Sequence, residues 1–167
     1  GLNLGRIATY LPALPNTIPG MTTNRLCGSS MQVAHSAAGA IGMGSGEMFL
    51  AAGVETMSLV KRGGWNRDLH PKIEEIYPDA YISMGLTAEN LARDYSISRD
   101  EQELFALNSH NKALSAQSKG LLTEEIIPVH CDDKIVEMDG CMRDTSLEKM
   151  AKLRPAFIET GSVTAAT

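Results

Sequence analysis

Asn24-Arg25-Leu26-Cys27-Gly28-Ser29-Ser30-Met31-Gln32 is the stretch that decides the reading of this 167-residue chain. Ahead of it, Pro19-Gly20 makes a turn and Met21-Thr22-Thr23-Asn24-Arg25-Leu26 suits an extended strand; after it, Ser29 and Ser30 are helix N-cap candidates. A thiol at such a strand-to-helix step lies beside unpaired helix N–H groups and the positive end of the helix dipole. Both favour negative charge on sulfur, and the thiolate is the form that attacks carbonyl carbon. Cys27 is therefore a candidate nucleophile able to hold an acyl group as a thioester. The local pattern also fits a small buried hydrophobe, the role most free cysteines play.

Outward from Cys27, residues 30–44 are dominated by Ala, Gly, Met, Val and Ile, with Val33, Ala34, Ala37, Ala38 and Ile41 at helical spacing. Small residues on nearly every side predict a helix buried between layers. Glu47-Met48-Phe49-Leu50-Ala51-Ala52 reads as a short central strand ending at Gly53. Gly42, Gly44 and Gly46 lie between that helix and that strand, the reverse of the phosphate-binding order, so they predict a turn and not a dinucleotide site. From Glu55 the composition shifts toward charge, and 56–160 reads as an insertion between a core piece, 1–55, and a return segment, 161–167. Lys61-Arg62-Gly63-Gly64-Trp65-Asn66-Arg67 reads as loop. Helices are predicted over 85–95 and 98–119, the second opened by a Ser98/Glu101 capping box, stopped by Gly120 and buried along Leu104, Leu107, Ala113 and Leu114. Ile126-Ile127-Pro128-Val129 and Lys134-Ile135-Val136-Glu137-Met138 suit a hairpin, and Thr145 with Glu148 makes a second capping box before a last short helix.

Composition narrows the function classes. The chain is 43% hydrophobic and 21% charged with a net charge of -5, as in a soluble globular piece. An acidic surface with 5% aromatic residues repels polyphosphate and offers few stacking platforms, which argues against a nucleic-acid partner. No apolar run approaches the roughly 18 to 20 residues that cross a bilayer, and Gly1-Leu2-Asn3-Leu4-Gly5-Arg6 lacks a signal-peptide start. Cys131 and Cys141 bring the cysteines to three, an odd count without Cys-x-x-Cys spacing or a paired-histidine zinc pattern. A reducing, cytoplasmic compartment and no metal are the simpler expectation; it disfavours a disulfide between Cys131 and Cys141 across the hairpin. His35, His70, His110 and His130 read as packing or surface residues, and no cysteine-protease signature accompanies Cys27.

The nine residues around Cys27 resemble the nucleophile segment of the thiolases, above all the degradative 3-ketoacyl-CoA thiolases of fatty acid β-oxidation. The resemblance continues in the family's order through Ala51-Ala52-Gly53-Val54-Glu55-Thr56-Met57-Ser58, Met84-Gly85-Leu86-Thr87-Ala88-Glu89-Asn90-Leu91-Ala92 and Ser98-Arg99-Asp100-Glu101-Gln102. Ser109-His110, Glu125-Ile126-Ile127-Pro128-Val129 and Lys152-Leu153-Arg154-Pro155-Ala156-Phe157 follow. It implies an α/β fold, a partial layered thiolase core with an inserted α+β loop domain that covers the site and holds coenzyme A. It implies that Cys27 accepts the acyl group, that Met84 packs near the pantetheine, and that Arg143, with Lys149 as a further cation, meets the nucleotide end of the coenzyme. Ser83 departs from the histidine that some thiolases carry there, so the resemblance does not carry a direct hydrogen bond to the coenzyme over to that position.

The family's Gly-His-Pro, Cys-x-Gly and Asn-Glu-Ala-Phe signatures do not occur in the chain, which reads as an internal fragment of a longer enzyme, inactive alone. The implied parent activity is thiolytic cleavage of a 3-ketoacyl-CoA to acetyl-CoA and a shortened acyl-CoA through a cysteine thioester, with coenzyme A as substrate and no permanently bound cofactor. The implied partners are a second copy docking through the strand 21–26 and a hydratase-dehydrogenase subunit. A biosynthetic acetoacetyl-CoA thiolase, a non-catalytic coenzyme-A-binding or scaffold module, and a functionless truncation product are the alternatives.

Overall fold

The computed structural model describes residues 2–61, 64 and 69–167, so part of the predicted 61–67 loop lies outside the described residues. The chain divides into two compact units, Gly1–Asp68 and Leu69–Thr167.

In the first unit, α1 (Leu4–Tyr10) begins at Asn3, whose side chain accepts the Arg6 N–H. The following loop folds back over it: Thr22 Oγ1 accepts the Gly5 N–H at 2.8 Å, and Asn3 Nδ2 donates to the Gly20 carbonyl at 2.7 Å. Gly5 and Gly20 permit this approach, since a Cβ on either would overlap the opposing backbone. The Arg6 guanidinium donates to the carbonyls of Ile18 and Asn16 and lies 4.7 Å from the Tyr10 ring centroid. Helix α2 (Ser29–Gly42) covers most of the predicted 30–44 span. It ends in a Schellman motif: Gly44 takes φ +72°, its N–H donates to Ile41, and the Ser45 N–H donates to Ala40. The Gly42/Gly44/Gly46 run is thus the expected turn.

Two expectations for this unit are corrected. No residue of α2 is buried, and 47–52 forms no strand, with Leu50 94% exposed. The cause is shared: a strand needs a hydrogen-bonded neighbour and a small-residue helix needs a layer on each side, and none of the described residues provides either. Residues 21–26 likewise form no strand ladder; an isolated bridge joins Arg25 and Cys27 around the turn at Leu26.

The second unit holds α3 (Pro71–Ile76), a 3-10 turn (Pro78–Tyr81), α4 (Met84–Asp94) and α5 (Arg99–Ser118). A second 3-10 turn (Thr123–Glu125), the antiparallel hairpin β1 (Val129–Cys131) and β2 (Lys134–Val136), and α6 (Leu147–Met150) follow. Its core is Ala92, Met150 and Val163, joined by buried Glu89, Glu103 and Thr164. Gly85 lies against the Phe157 ring so closely that a Cβ there would overlap it. The hairpin forms, but its strands are corrected to Val129–Cys131, and not 126–129, and to Lys134–Val136; it turns at Asp132-Asp133, with Asp132 at φ +49° and His130 opposite Ile135. All three cysteines are free and exposed.

The capping box of α5 forms as predicted: Ser98 accepts the Glu101 N–H, while Glu101 accepts the Ser98 N–H and hydroxyl, each at 2.8 Å. Gly120, at φ +68°, closes the other end. The predicted buried stripe is corrected: Leu104 is exposed and Leu107, Ala113 and Leu114 are half-buried, while Glu103, paired with Arg99, is the one buried residue of α5. The cap of α6 is corrected by one position, since Ser146, not Thr145, accepts the Lys149 N–H. Hydrogen bonds from the Ser98 backbone N–H first, and its hydroxyl second, hold the Glu101 carboxyl below its ordinary value. A lowered folded-state value means the contribution is full above the ordinary carboxyl range and is lost as pH falls through the lower, folded value. Amide exchange in the first turn of α5, referenced to the intrinsic rate at each pH, should therefore lose protection on acidification, and Glu101→Gln should remove that pH dependence. Equal acid-dependent loss in the variant would assign the effect to another group.

Candidate functional site

Cys27 sits on a turn tied from both sides. Ser29 Oγ accepts the Arg25 N–H at 2.8 Å and donates to the Leu26 carbonyl at 2.7 Å, and Asn24 Oδ1 accepts the Leu26 N–H at 2.9 Å. These bonds hold Leu26 at φ +49°, a left-handed conformation that a branched residue rarely adopts. The kink turns the chain abruptly from 21–26 into α2. Arg25 adds a brace from its guanidinium to Gln32 Oε1 at 2.7 Å. The expected serine cap is corrected: Gly28 is the N-cap and makes no side-chain bond, while Ser29, the first helical residue, fastens the turn.

Chemically this is an exposed thiol one residue before the N-cap of a 14-residue helix. Among the described residues the N–H groups of Ser30 and Met31 have no hydrogen-bond acceptor, so they remain open to an anion at this end of the helix. His35 lies exposed farther along α2.

Met84, Arg143 and Lys149 all belong to the second unit. Met84 is the first residue of α4 and is 53% exposed. Ser83 caps α4 by accepting the Leu86 N–H at 3.3 Å. Arg143 lies on the segment before α6; its backbone N–H donates to His110 Nδ1 at 3.1 Å. Lys149 is exposed on α6. Among the described residues neither the Arg143 nor the Lys149 head group forms an ion pair, and no hydrogen bond joins Met84, Arg143 and Lys149 to one another. Both cations are thus free to meet an anionic ligand. No group of His, Cys, Asp and Glu among the described residues could hold a metal ion, and no helix there is long and apolar enough to cross a membrane.

The sequence reading missed two carboxylates that organise this unit. Glu89 accepts the N–H groups of Ser162 and Val163 at 3.0 and 2.9 Å, anchoring the return segment to α4. Gly161 has no Cβ because one would collide with that carboxylate. Glu103 accepts from Arg99 Nε at 2.7 Å, and Arg99 Nη2 donates to the carbonyls of Met150, Ala151 and Leu153. Each had a sequence signal. Glu89 shares a helix face with Gly85 and Ala92, so it is the lone acid in a small-residue stripe, and Arg99/Glu103 is an i,i+4 pair.

Comparison with known proteins agrees with this architecture. The chain is 44% identical over 174 residues to the 3-ketoacyl-CoA thiolase of Psychrobacter arcticus, a match covering 100% of the chain and 44% of that relative. It is 42% identical over 176 residues to the peroxisomal 3-ketoacyl-CoA thiolase of Homo sapiens, covering 99% of the chain and 42% of the relative. The chain thus spans less than half the length of the curated relatives it matches. The dimeric peroxisomal thiolase of Saccharomyces cerevisiae superposes with a TM-score of 0.84 at 32% identity, over 96% of this chain and 43% of that one. The acetyl-CoA acetyltransferase of Bacillus anthracis gives 0.81 at 38% identity, over 99% of this chain and 46% of that one. The fold is therefore the α/β thiolase fold in part, and because the thiolase N-terminal domain profile matches residues 1–167 throughout, the chain belongs to the thiolase family.

Proposed function

We propose that the chain supplies the nucleophile and the coenzyme-covering insertion of an acyltransferase that cleaves 3-ketoacyl-CoA with coenzyme A. The carrying observation is the exposed Cys27 thiol on a braced turn at the start of α2, in a chain of this family. In the proposed reaction the Cys27 thiolate attacks the 3-keto carbon, the C2–C3 bond breaks, and the departing acetyl-CoA carbanion takes a proton. Coenzyme A then gives up its thiol proton and attacks the thioester, releasing the shortened acyl-CoA and restoring the Cys27 thiolate. The open N–H groups of Ser30 and Met31 are suited to the oxyanion of the acyl-transfer step. A proton donor and acceptor from outside these residues completes the cycle.

In this reading 1–55 belongs to the amino-terminal core, 56–160 is the coenzyme-A-binding loop domain, and 161–167 returns to the core. Met84 lies near the pantetheine, while Arg143 and Lys149 meet the nucleotide end. Coenzyme A is a substrate and nothing else is held permanently. The unladdered segment 21–26 is available to pair with its counterpart in a second copy, making a homodimer; the similarity to a dimeric thiolase supports this. A hydratase-dehydrogenase partner and a cytoplasmic location complete the proposal. Similarity to an acetyl-CoA acetyltransferase favours a biosynthetic acetoacetyl-CoA thiolase as the second reading, which rate comparison on C4 and longer 3-ketoacyl-CoA substrates separates.

Release of acetyl-CoA from a 3-ketoacyl-CoA that depends on added coenzyme A tests the reaction; release of free acids without coenzyme A would reject it. Arg143→Ala in the whole enzyme should weaken coenzyme A about tenfold, because an exposed arginine–phosphate contact contributes about 1.4 kcal/mol. The deficit should shrink as salt rises. An equal loss with a short, nucleotide-free thiol would make Arg143 a support of the fold, and no loss with either would make it a surface charge.

A further inference from the structure

Two side chains of α5 hold opposite ends of the segment that carries Arg143. Gln117 Nε2 donates to the Asp139 carbonyl at 2.8 Å, and His110 Nδ1 accepts the Arg143 N–H at 3.1 Å. Seven residues separate the two on α5, so they share a helix face about 10.5 Å apart along the axis. The four steps from Asp139 to Arg143 reach at most about 14 Å, which spans that distance with slack for one turn. The turn is present: Asp139 Oδ1 accepts the Cys141 N–H at 2.9 Å. The segment therefore runs antiparallel to α5, pinned at both ends and folded once between them. His110 is half-buried on α5, and accepting at Nδ1 requires the tautomer with its proton on Nε2. The Arg143 guanidinium itself stays exposed and unpaired among the described residues.

We propose that His110 and Gln117 are positioning residues that clamp 139–143 to α5, so that Arg143 stands pre-oriented for the phosphates and adenine of coenzyme A. The proposal rests on the reading of Arg143 as a coenzyme contact and extends it to two residues that touch no coenzyme. Without the clamp the segment would have to be ordered each time the coenzyme binds, and that ordering reduces affinity.

In the whole enzyme, His110→Ala should raise the KM for coenzyme A about threefold with kcat unchanged at saturation, as expected for one lost hydrogen bond. Gln117→Ala should behave alike. His110→Asn should restore KM to within about twofold, because Asn Oδ1 accepts from the position of His Nδ1. In an Arg143→Ala background, His110→Ala should add nothing. If Arg143→Ala raises KM and His110→Ala does not, the clamp is wrong while the reading of Arg143 stands. If His110→Asn is as impaired as His110→Ala, or either lowers kcat as much as it raises KM, His110 supports the fold generally and the clamp is overturned. If Arg143→Ala itself leaves KM unchanged, the coenzyme reading of Arg143 fails and takes the clamp with it.

Discussion

Cys27→Ala in the whole enzyme is expected to abolish acyl-enzyme formation and to reduce thiolysis by on the order of 10⁶, the scale of losing a covalent nucleophile. The size follows from the chemistry: without sulfur no thioester forms, and carbon–carbon cleavage must proceed in one step. The geometry gives the same residue priority over the other two exposed thiols. Cys131 ends a short hairpin strand and Cys141 lies in the turn made by Asp139, so neither precedes a helix start with open N–H groups. Limited iodoacetamide treatment should accordingly label Cys27 first. Faster labelling of Cys131 or Cys141 in the folded protein would remove the structural basis for choosing Cys27.

Arg99→Met should cost about 3 kcal/mol of the second unit's stability, the low end of the range for breaking a buried ion pair. The low end applies because the Arg99 side chain is 27% exposed while that of Glu103 is 4% exposed. Removing the guanidinium strands the Glu103 carboxylate and takes a donor from the carbonyls of Met150, Ala151 and Leu153, which close α6. Arg99→Lys should recover only part of the loss, since an ammonium cannot span that set of acceptors as the planar fork does. Denaturant titration gives the free energy, and faster amide exchange over 147–154 would locate it. A change below about 1 kcal/mol would mean that the pair is decoration and that packing of Met150 alone holds α6.

These two residues mark what was and was not legible in the sequence. Features set by neighbours a few positions apart were readable: the Ser98/Glu101 box, the glycine stops at 44 and 120, the existence of the hairpin, and the helix start just after Cys27. Even there the register slipped by one at Ser146, because two adjacent hydroxyl residues both fit the cap pattern. Features set by distant partners were not readable. Glu89 meets Ser162 across 73 positions and His110 meets Arg143 across 33, so their helical context gave the former no role and made the latter a surface residue. The strand expected at 47–52 and the buried faces expected of α2 fail for the related reason that their side chains specify burial, while burial requires layers to pack against.

The exposed apolar surface of the first unit, from Met31 on α2 to Met48 and Leu50 beyond it, is the kind that other parts of a fold or a second copy normally cover. In the proposed dimer the segment 21–26 would gain a ladder, and its amides should become protected from exchange in proportion to dimer formation. Unchanged exchange on dilution through the dissociation range would place the contact elsewhere.

The central claim is that Cys27 carries the acyl group. The most direct measurement is peptide mass mapping after the whole enzyme is mixed with a 3-ketoacyl-CoA, without free coenzyme A, and quenched in acid. The predicted result is the mass of the shortened acyl chain on the peptide containing Cys27, lost when coenzyme A is added before the quench. That mass on Cys131 or Cys141, or cleavage of the substrate with no acylated cysteine, would contradict it.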